Sequence, residues 1–232
     1  MWRIEKGPEP RCLAELRREI RRMEDEAGAP VKEPWKEVKG AAKEVLRDAL
    51  VRVQHGLCAY CGGRLVLTQM KIEHFIPQIA DPARILDWDN LLGACSGRYR
   101  VGAGRAVTHC DSHRTQRGLL HVHPAKTDPR LHFRVNVTSQ RSDLGTIEPL
   151  TAEATPDLAE LNLNASRLVE NRAAVVRDLR ARLQPLPPDK ISEFLRRRLE
   201  VATKPGVDGL PAYAHVAAEY IRRKLRQRGQ AP

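Results

Sequence analysis

Apolar residues recur along most of this chain at helical spacing, and proline and glycine separate one run from the next. Over residues 11–27, Leu13, Leu16, Ile20 and Met23 stand three and four apart among charged neighbours. That pattern predicts an amphipathic helix, closed by Gly28-Ala29-Pro30. Residues 35–54 predict a second helix, with Val38, Ala42, Val45, Leu46, Ala49 and Val53 on one face. Three more helices are predicted toward the C-terminus, over residues 156–183, 189–203 and 211–227. Pro185, Pro187 and Pro188 divide the first two, and Pro205-Gly206 with Gly209 divides the last two.

The middle of the chain follows a different rule. Residues 64–68 (RLVLT) and 70–75 (MKIEHF) are short and apolar enough to predict a small hairpin. Pro77 ends it, because proline has no amide to donate to a ladder. Residues 89–92 (DNLL) read as a loop or helical turn. Residues 96–109 hold three glycines and three arginines and read as a mobile insertion; residues 110–118 predict a short helix, and residues 132–137 alternate like a strand. The predicted class is an α-rich α+β protein in three regions. These are N-terminal helices over 1–54, a small strand–strand–helix core over 55–124, and a mainly helical extension over 125–232.

Charge adds a partner to this picture. The 232 residues carry a formal charge of +11, which favours polyanions, nucleic acid first. Basic residues outnumber acidic ones by 13 to 11 over 1–54, 12 to 9 over 55–154 and 15 to 9 over 155–232. The excess leans toward the C-terminal helices, where it could bind DNA or an acidic protein. Acidic residues are interspersed throughout, so part of the charge is expected in exposed ion pairs. No run of 18 apolar residues predicts a membrane span. The N-terminal MWRIEKGPEPR lacks the apolar core of a signal peptide, which predicts a cytoplasmic protein.

Five cysteines in such a chain point to metal ligation rather than disulfides. Cys58-x2-Cys61 followed by Gly62-Gly63 is a zinc-knuckle pattern. A redox pair would want a thioredoxin-like βαβ context, and none is visible. Cys95 and Cys110 would complete a four-thiolate Zn²⁺ site, although His109 or His113 could replace one of them. Cys12 reads as a buried helix residue.

Between the halves of this clip lie Glu73-His74, Asn90 and, after the last cysteine, Asp111. Hydrolysis of a phosphodiester needs a base for water and a cation for the developing charge. His74 has the ordinary pKa for the first task. Glu73 and Asp111 are hard oxygen donors suited to Mg²⁺ or Mn²⁺. Neighbouring strand residues face opposite ways, so a bend at Phe75-Ile76-Pro77 is expected to bring Glu73 and His74 to one site. The plainer alternative makes Glu73-His74 an exposed strand end and Asp111 a helix cap.

The strings CAYCGG, IEHFIPQ, DWDNLLGAC and HCDSHR, spanning roughly residues 56–118, resemble the zinc-containing branch of the HNH (ββα-metal) endonucleases. The resemblance implies His74 as general base, Glu73 as a ligand of the catalytic metal, and Asn90 as the residue that orients the loop and the base. It implies cleavage leaving a 5′-phosphate and a 3′-hydroxyl. The position after the last cysteine is usually Asn or His in that family; here it is Asp111, with His113 as its rival. Arg114 and Arg117 are candidate phosphate contacts. IEHF-x-P, the long spacer before HCD, and LNLNASRLVENR over 161–172 are similar to PtuB-type nucleases of Septu and retron-linked antiphage systems. That likeness implies a PtuA-like ATPase partner, docked by the terminal helices. The competing classes are a non-catalytic zinc-stabilised module that binds nucleic acid or a scaffold, and a stand-alone restriction or homing nuclease.

Overall fold

The computed structural model describes residues 2–100, 102, 104, 106–115 and 118–231. Six α-helices and three two-stranded antiparallel ladders make up its regular structure. Helix α1 (Arg11–Ala27) and α2 (Gly40–Val53) bury Leu13, Leu16, Ile20, Leu46, Ala49 and Leu50, while Met23 and Val45 of the predicted faces are exposed. Gly28 at φ 64° ends α1 in the left-handed conformation that glycine adopts without strain. Pro34–Glu37 forms a separate 3-10 turn, so the second predicted helix starts later than its apolar pattern does.

Strand β1 (Lys71–His74) does not pair with residues 64–68. Its partner is β2 (Leu91–Ala94), in the register Lys71↔Ala94, Ile72↔Gly93, Glu73↔Leu92 and His74↔Leu91. The carbonyl of Val66 accepts from the amides of Gln69 and Met70, which folds that stretch into a turn and leaves Val66 and Leu67 exposed. All four residues of LLGA are buried, whereas Arg64, Val66, Leu67 and Thr68 of the nearer segment are exposed. Residues 101, 103 and 105 of the predicted insertion lie outside the described residues. On either side of them β3 (Arg98–Arg100) and β4 (Ala106–Thr108) form a hairpin with Tyr99 buried. β5 (Phe133–Val135) is the predicted strand, paired with β6 (Ile147–Pro149).

The short helix predicted over 110–118 is only a 3-10 turn, Cys110–Ser112, and Cys110 itself sits at φ 53°. The long helix predicted over 156–183 is two: α3 (Ala154–Glu160) and α4 (Ser166–Leu183). Asn162 at φ 45° breaks it, and the break has a use. Its side chain donates to the Thr108 carbonyl at 2.8 Å, and the Leu161 carbonyl accepts the Cys110 amide at 2.8 Å. Helices α5 (Pro188–Thr203) and α6 (Ala214–Gln227) close the fold. One apolar core runs from Ile4 through Leu225, so the three regions of the chain share it. Among the described residues no helix is long and apolar enough to cross a membrane.

The N-terminal segment straps over the loop before β2. Trp88 donates its indole N–H to the Gly7 carbonyl at 3.0 Å, and Lys6 lies 3.7 Å over the Trp88 ring. Lys6 also donates to the carbonyls of Trp88 and Leu91, and burial lowers its pKa to about 7. Beneath the strap His123 stacks 4.2 Å from Phe75, donates to the Asp89 carbonyl at 2.9 Å and accepts the Ala125 amide.

Burial holds His123 down at about 4, against an ordinary value near 6.5. Between those values the unfolded chain binds the extra proton, so stability is full above the unfolded pKa and drains away as pH falls toward 4. Thermal melts should therefore show a lower Tm at pH 5 than at pH 7. A His123→Gln variant should lose part of that difference; an identical pH dependence in the variant would refute the role.

Candidate functional site

The cysteine clip assembles from three segments. Cys58, Cys61 and Cys110 are buried and Cys95 is half-buried, and all four sulfurs lie within 4.8 Å of one another. Cys58 and Cys110 Sγ are 3.9 Å apart, as are Cys61 and Cys95 Sγ. Tetrahedral Zn–S bonds of about 2.3 Å would set the sulfurs roughly 3.8 Å apart, so the cage has the right size for zinc. Two backbone N–H groups point at sulfur, the Gly63 amide at Cys61 and the Cys95 amide at Cys58, and His109 Nδ1 lies 3.2 Å from Cys110 Sγ. His109 thus stands beside the cage, behind a ligand. Burial raises the Cys110 thiol further above its ordinary pKa. Cys58 goes the other way, because contacts from Cys110, Cys61 and Cys95 outweigh its burial. Four packed sulfurs cannot all ionise without a cation, and this donor set can bind a metal such as zinc.

The knuckle needs its first glycine. Gly62 sits at φ 73°, and a Cβ there would lie 2.5 Å from the His215 ring at the start of α6. The second half of the knuckle also meets α4, where Asn171 donates to Tyr213 Oη at 2.9 Å beside Gly63.

Next to the clip, Glu73, His74, Gln78, Asp111, Arg114 and Thr115 line a cavity of about 340 Å³. Glu73 and His74 are both buried at the end of β1, where the chain turns away at Pro77 and lets both reach the cavity. Glu73 accepts from Tyr60 Oη at 3.2 Å and from Arg114 Nη1 at 2.5 Å. Burial, then hydrogen bonding and repulsion from Asp111, push its carboxyl up to about 8, against the pull of Arg114. Burial would raise Asp111 too, but contacts to Glu73 and to Lys71, 2.8 Å away, hold it down. Both carboxyl groups line the cavity, and the hydrogen bonding between them raises Glu73 and lowers Asp111.

His74 is held by one nitrogen. Its Nε2 donates to the Ile85 carbonyl at 2.9 Å, which leaves Nδ1 as the acceptor, 3.3 Å from the Gln78 amide. Trp35 packs edge-on against the ring at 4.5 Å. Burial lowers the His74 pKa, so the ring is neutral at pH 7. Asn90 stays out of the cavity and works from behind. Its Oδ1 accepts the Ile76 amide at 2.7 Å, and its Nδ2 donates to the carbonyls of Ile76 and Arg84. Arg84 precedes the residue whose carbonyl holds His74. Asn90→Ala should cost about 2–3 kcal/mol in urea unfolding, since it strands buried backbone groups. A loss under a few tenths would show that those groups find other partners.

Other predicted site residues are placed differently. His113 is exposed, hydrogen-bonds Thr108 Oγ1 at 3.0 Å and does not line the cavity; Asp111 does. Arg114 is turned inward with its side chain 4% exposed, so it is not placed as a free phosphate contact. Besides Glu73 it donates to the carbonyls of His74, Phe75 and Gly118, which clamps the end of β1. Arg117 lies outside the described residues. Sequence spacing missed Tyr60, Lys71 and Gln78; of these, only Tyr60, a polar aromatic inside the CAYC knuckle, carried a local signal. A scan against protein-family models finds no match for this chain, and a search of curated proteins finds no similar protein.

Proposed function

We propose that the chain is a metal-dependent nuclease of the HNH type, hydrolysing phosphodiester bonds in DNA. The observation that carries this reading is the cavity where a buried histidine, held through Nε2 with Nδ1 as acceptor, meets the carboxyl groups of Glu73 and Asp111. His74 Nδ1 is the base: it takes the proton of a water entering beside Gln78, and the Ile85 carbonyl steadies the imidazolium that forms. Glu73 and Asp111 are the residues that would hold a Mg²⁺ or Mn²⁺ ion, whose chemistry when bound is stabilisation of the phosphorane and the departing oxygen. The fit is supported by the chemistry of the donors: two carboxyl groups lining one cavity, whose repulsion a cation between them would relieve. Tyr60 and Arg114 keep the Glu73 carboxylate aimed at the cavity, and the cysteine clip holds Asp111 in place one residue after Cys110.

The resemblance to PtuB-type proteins extends this reading to an antiphage complex with an ATPase, in the cytoplasm. Supercoiled plasmid incubated with the purified chain should be nicked with Mg²⁺ or Mn²⁺ and untouched without them. DNA binding with no strand breaks under either ion would instead favour a non-catalytic zinc-stabilised module.

A further inference from the structure

A second surface, sharing no residue with the His74 cavity, gathers positive charge from three parts of the chain. A cleft of about 550 Å³ opens between α4, α6 and the loop that follows β5. Arg177 and Arg180 line it from α4, Arg223 and Lys224 from α6, and Arg141 from the loop, with no carboxylate among its lining residues. Some cations outside the cleft do pair within their own turn: Arg182 of α4 with Asp178, Arg197 of α5 with Glu193 and, just past α5, Lys204 with Glu200. In the cleft, Arg141, Arg223 and Lys224 have no carboxylate within 4 Å among the described residues, and Arg177 alone pairs outward, with Glu170. Arg180 is spent on building the wall, donating to the carbonyls of Val137, Thr138 and Ser139 at 3.1 Å each. Five like charges therefore line one cleft, and an anion seated there would relieve their mutual repulsion.

We propose that this cleft is a track for the phosphate backbone of a nucleic acid, lying apart from the proposed cleavage site. The remaining lining distinguishes this partner from an acidic protein. Protein interfaces are anchored by apolar and aromatic side chains at their centre. Here Val137, Leu144 and Tyr220 are themselves buried and offer little surface. Thr138, Gln140 and Gln227 supply neutral hydrogen-bonding groups beside the cations instead, the mixture that contacts phosphate and sugar. Binding in the cleft is expected whether or not His74 cuts.

The test uses the full chain on a His74→Ala background without added divalent ion, so that cleavage plays no part. Anisotropy of a short fluorescein-labelled DNA, single-stranded and duplex, is followed against salt. The triple variant Arg141→Gln, Arg223→Gln, Lys224→Gln should lower the slope of log K against log salt by about 2–3 and weaken binding about 10²-fold near 0.15 M salt. A second triple, Arg18→Gln, Arg21→Gln, Arg22→Gln on α1, removes the same charge from an unrelated face and should change the slope far less. Unchanged affinity in the cleft variant, or equal losses in both triples, would overturn the track. So would retained DNA binding with lost binding to polyglutamate. Thermal melts of both triples establish that the fold is intact, because Arg141 and Arg223 are exposed.

Discussion

Replacing His74 by alanine is expected to lower divalent-ion-dependent plasmid nicking by about 10²–10⁴-fold, the usual worth of a positioned base. The ring is fixed on one side by the Ile85 carbonyl and on another by Trp35, so Nδ1 has one place to work, the cavity. Burial lowers its pKa below the ordinary histidine value, so the rate should fall in acid as the ring takes up a proton, at a pH below that of an exposed histidine. Among the described residues lining the cavity, no other is an imidazole or an unpaired carboxylate. Glu73 is tied to Tyr60 and Arg114, and Asp111 to Lys71. The variant loses one buried ring and should melt within a few degrees of the wild type. Equal nicking by the variant would remove His74 from the mechanism.

Loss of the cysteine clip should have the largest effect on the fold itself. Structural Zn²⁺ contributes about 10–16 kcal/mol in small zinc peptides near pH 7, as much as or more than the whole stability of an ordinary domain. Here the cage joins the knuckle after α2, the segment after β2 and the turn after β4, and the Cys110 amide ties it to the break between α3 and α4. We expect one zinc per purified chain by elemental analysis. A strong chelator or Cys110→Ser should abolish the cooperative thermal transition rather than shift it. A metal-free chain with an unchanged melting curve, or a Cys110→Ser variant that melts like the wild type, would contradict this. The same loss should abolish any cleavage, because Asp111 follows Cys110 directly.

Much of this was legible in the chain before any coordinates. Helix positions followed from apolar spacing because each such face is local and buries against whatever lies nearest. α1 spans 11–27 as its periodicity predicts, and α5 and α6 lie within a few residues of prediction. Sulfur chemistry marked the four cysteines, since a Cys-x2-Cys knuckle with two further cysteines is a familiar metal-ligand pattern. The juxtaposition of Glu73, His74 and Asp111 followed from their order around that clip. The cavity does bring them together, with Asn90 behind it as a support.

What the chain could not disclose were choices between partners of equal local quality. A four-residue strand carries a face and a burial but no address. That β1 pairs with Leu91–Ala94, and not with the nearer RLVLT, was decided by which segment could be buried on both sides. Periodicity continued unbroken through Leu161–Ala165, and only the need to receive Cys110 and Thr108 explains the break there. Arg114 read as a surface cation until packing turned it onto Glu73. Sequence thus determined the residue types able to ligate, to act as a base and to form helices, because those properties belong to single side chains and short spacings. Tertiary structure decided which strands pair, which arginine is spent inside, and that Arg141, Arg177, Arg223 and Lys224 meet in one cleft. Those outcomes depend on burial and on distances between remote segments, which spacing along a chain does not encode.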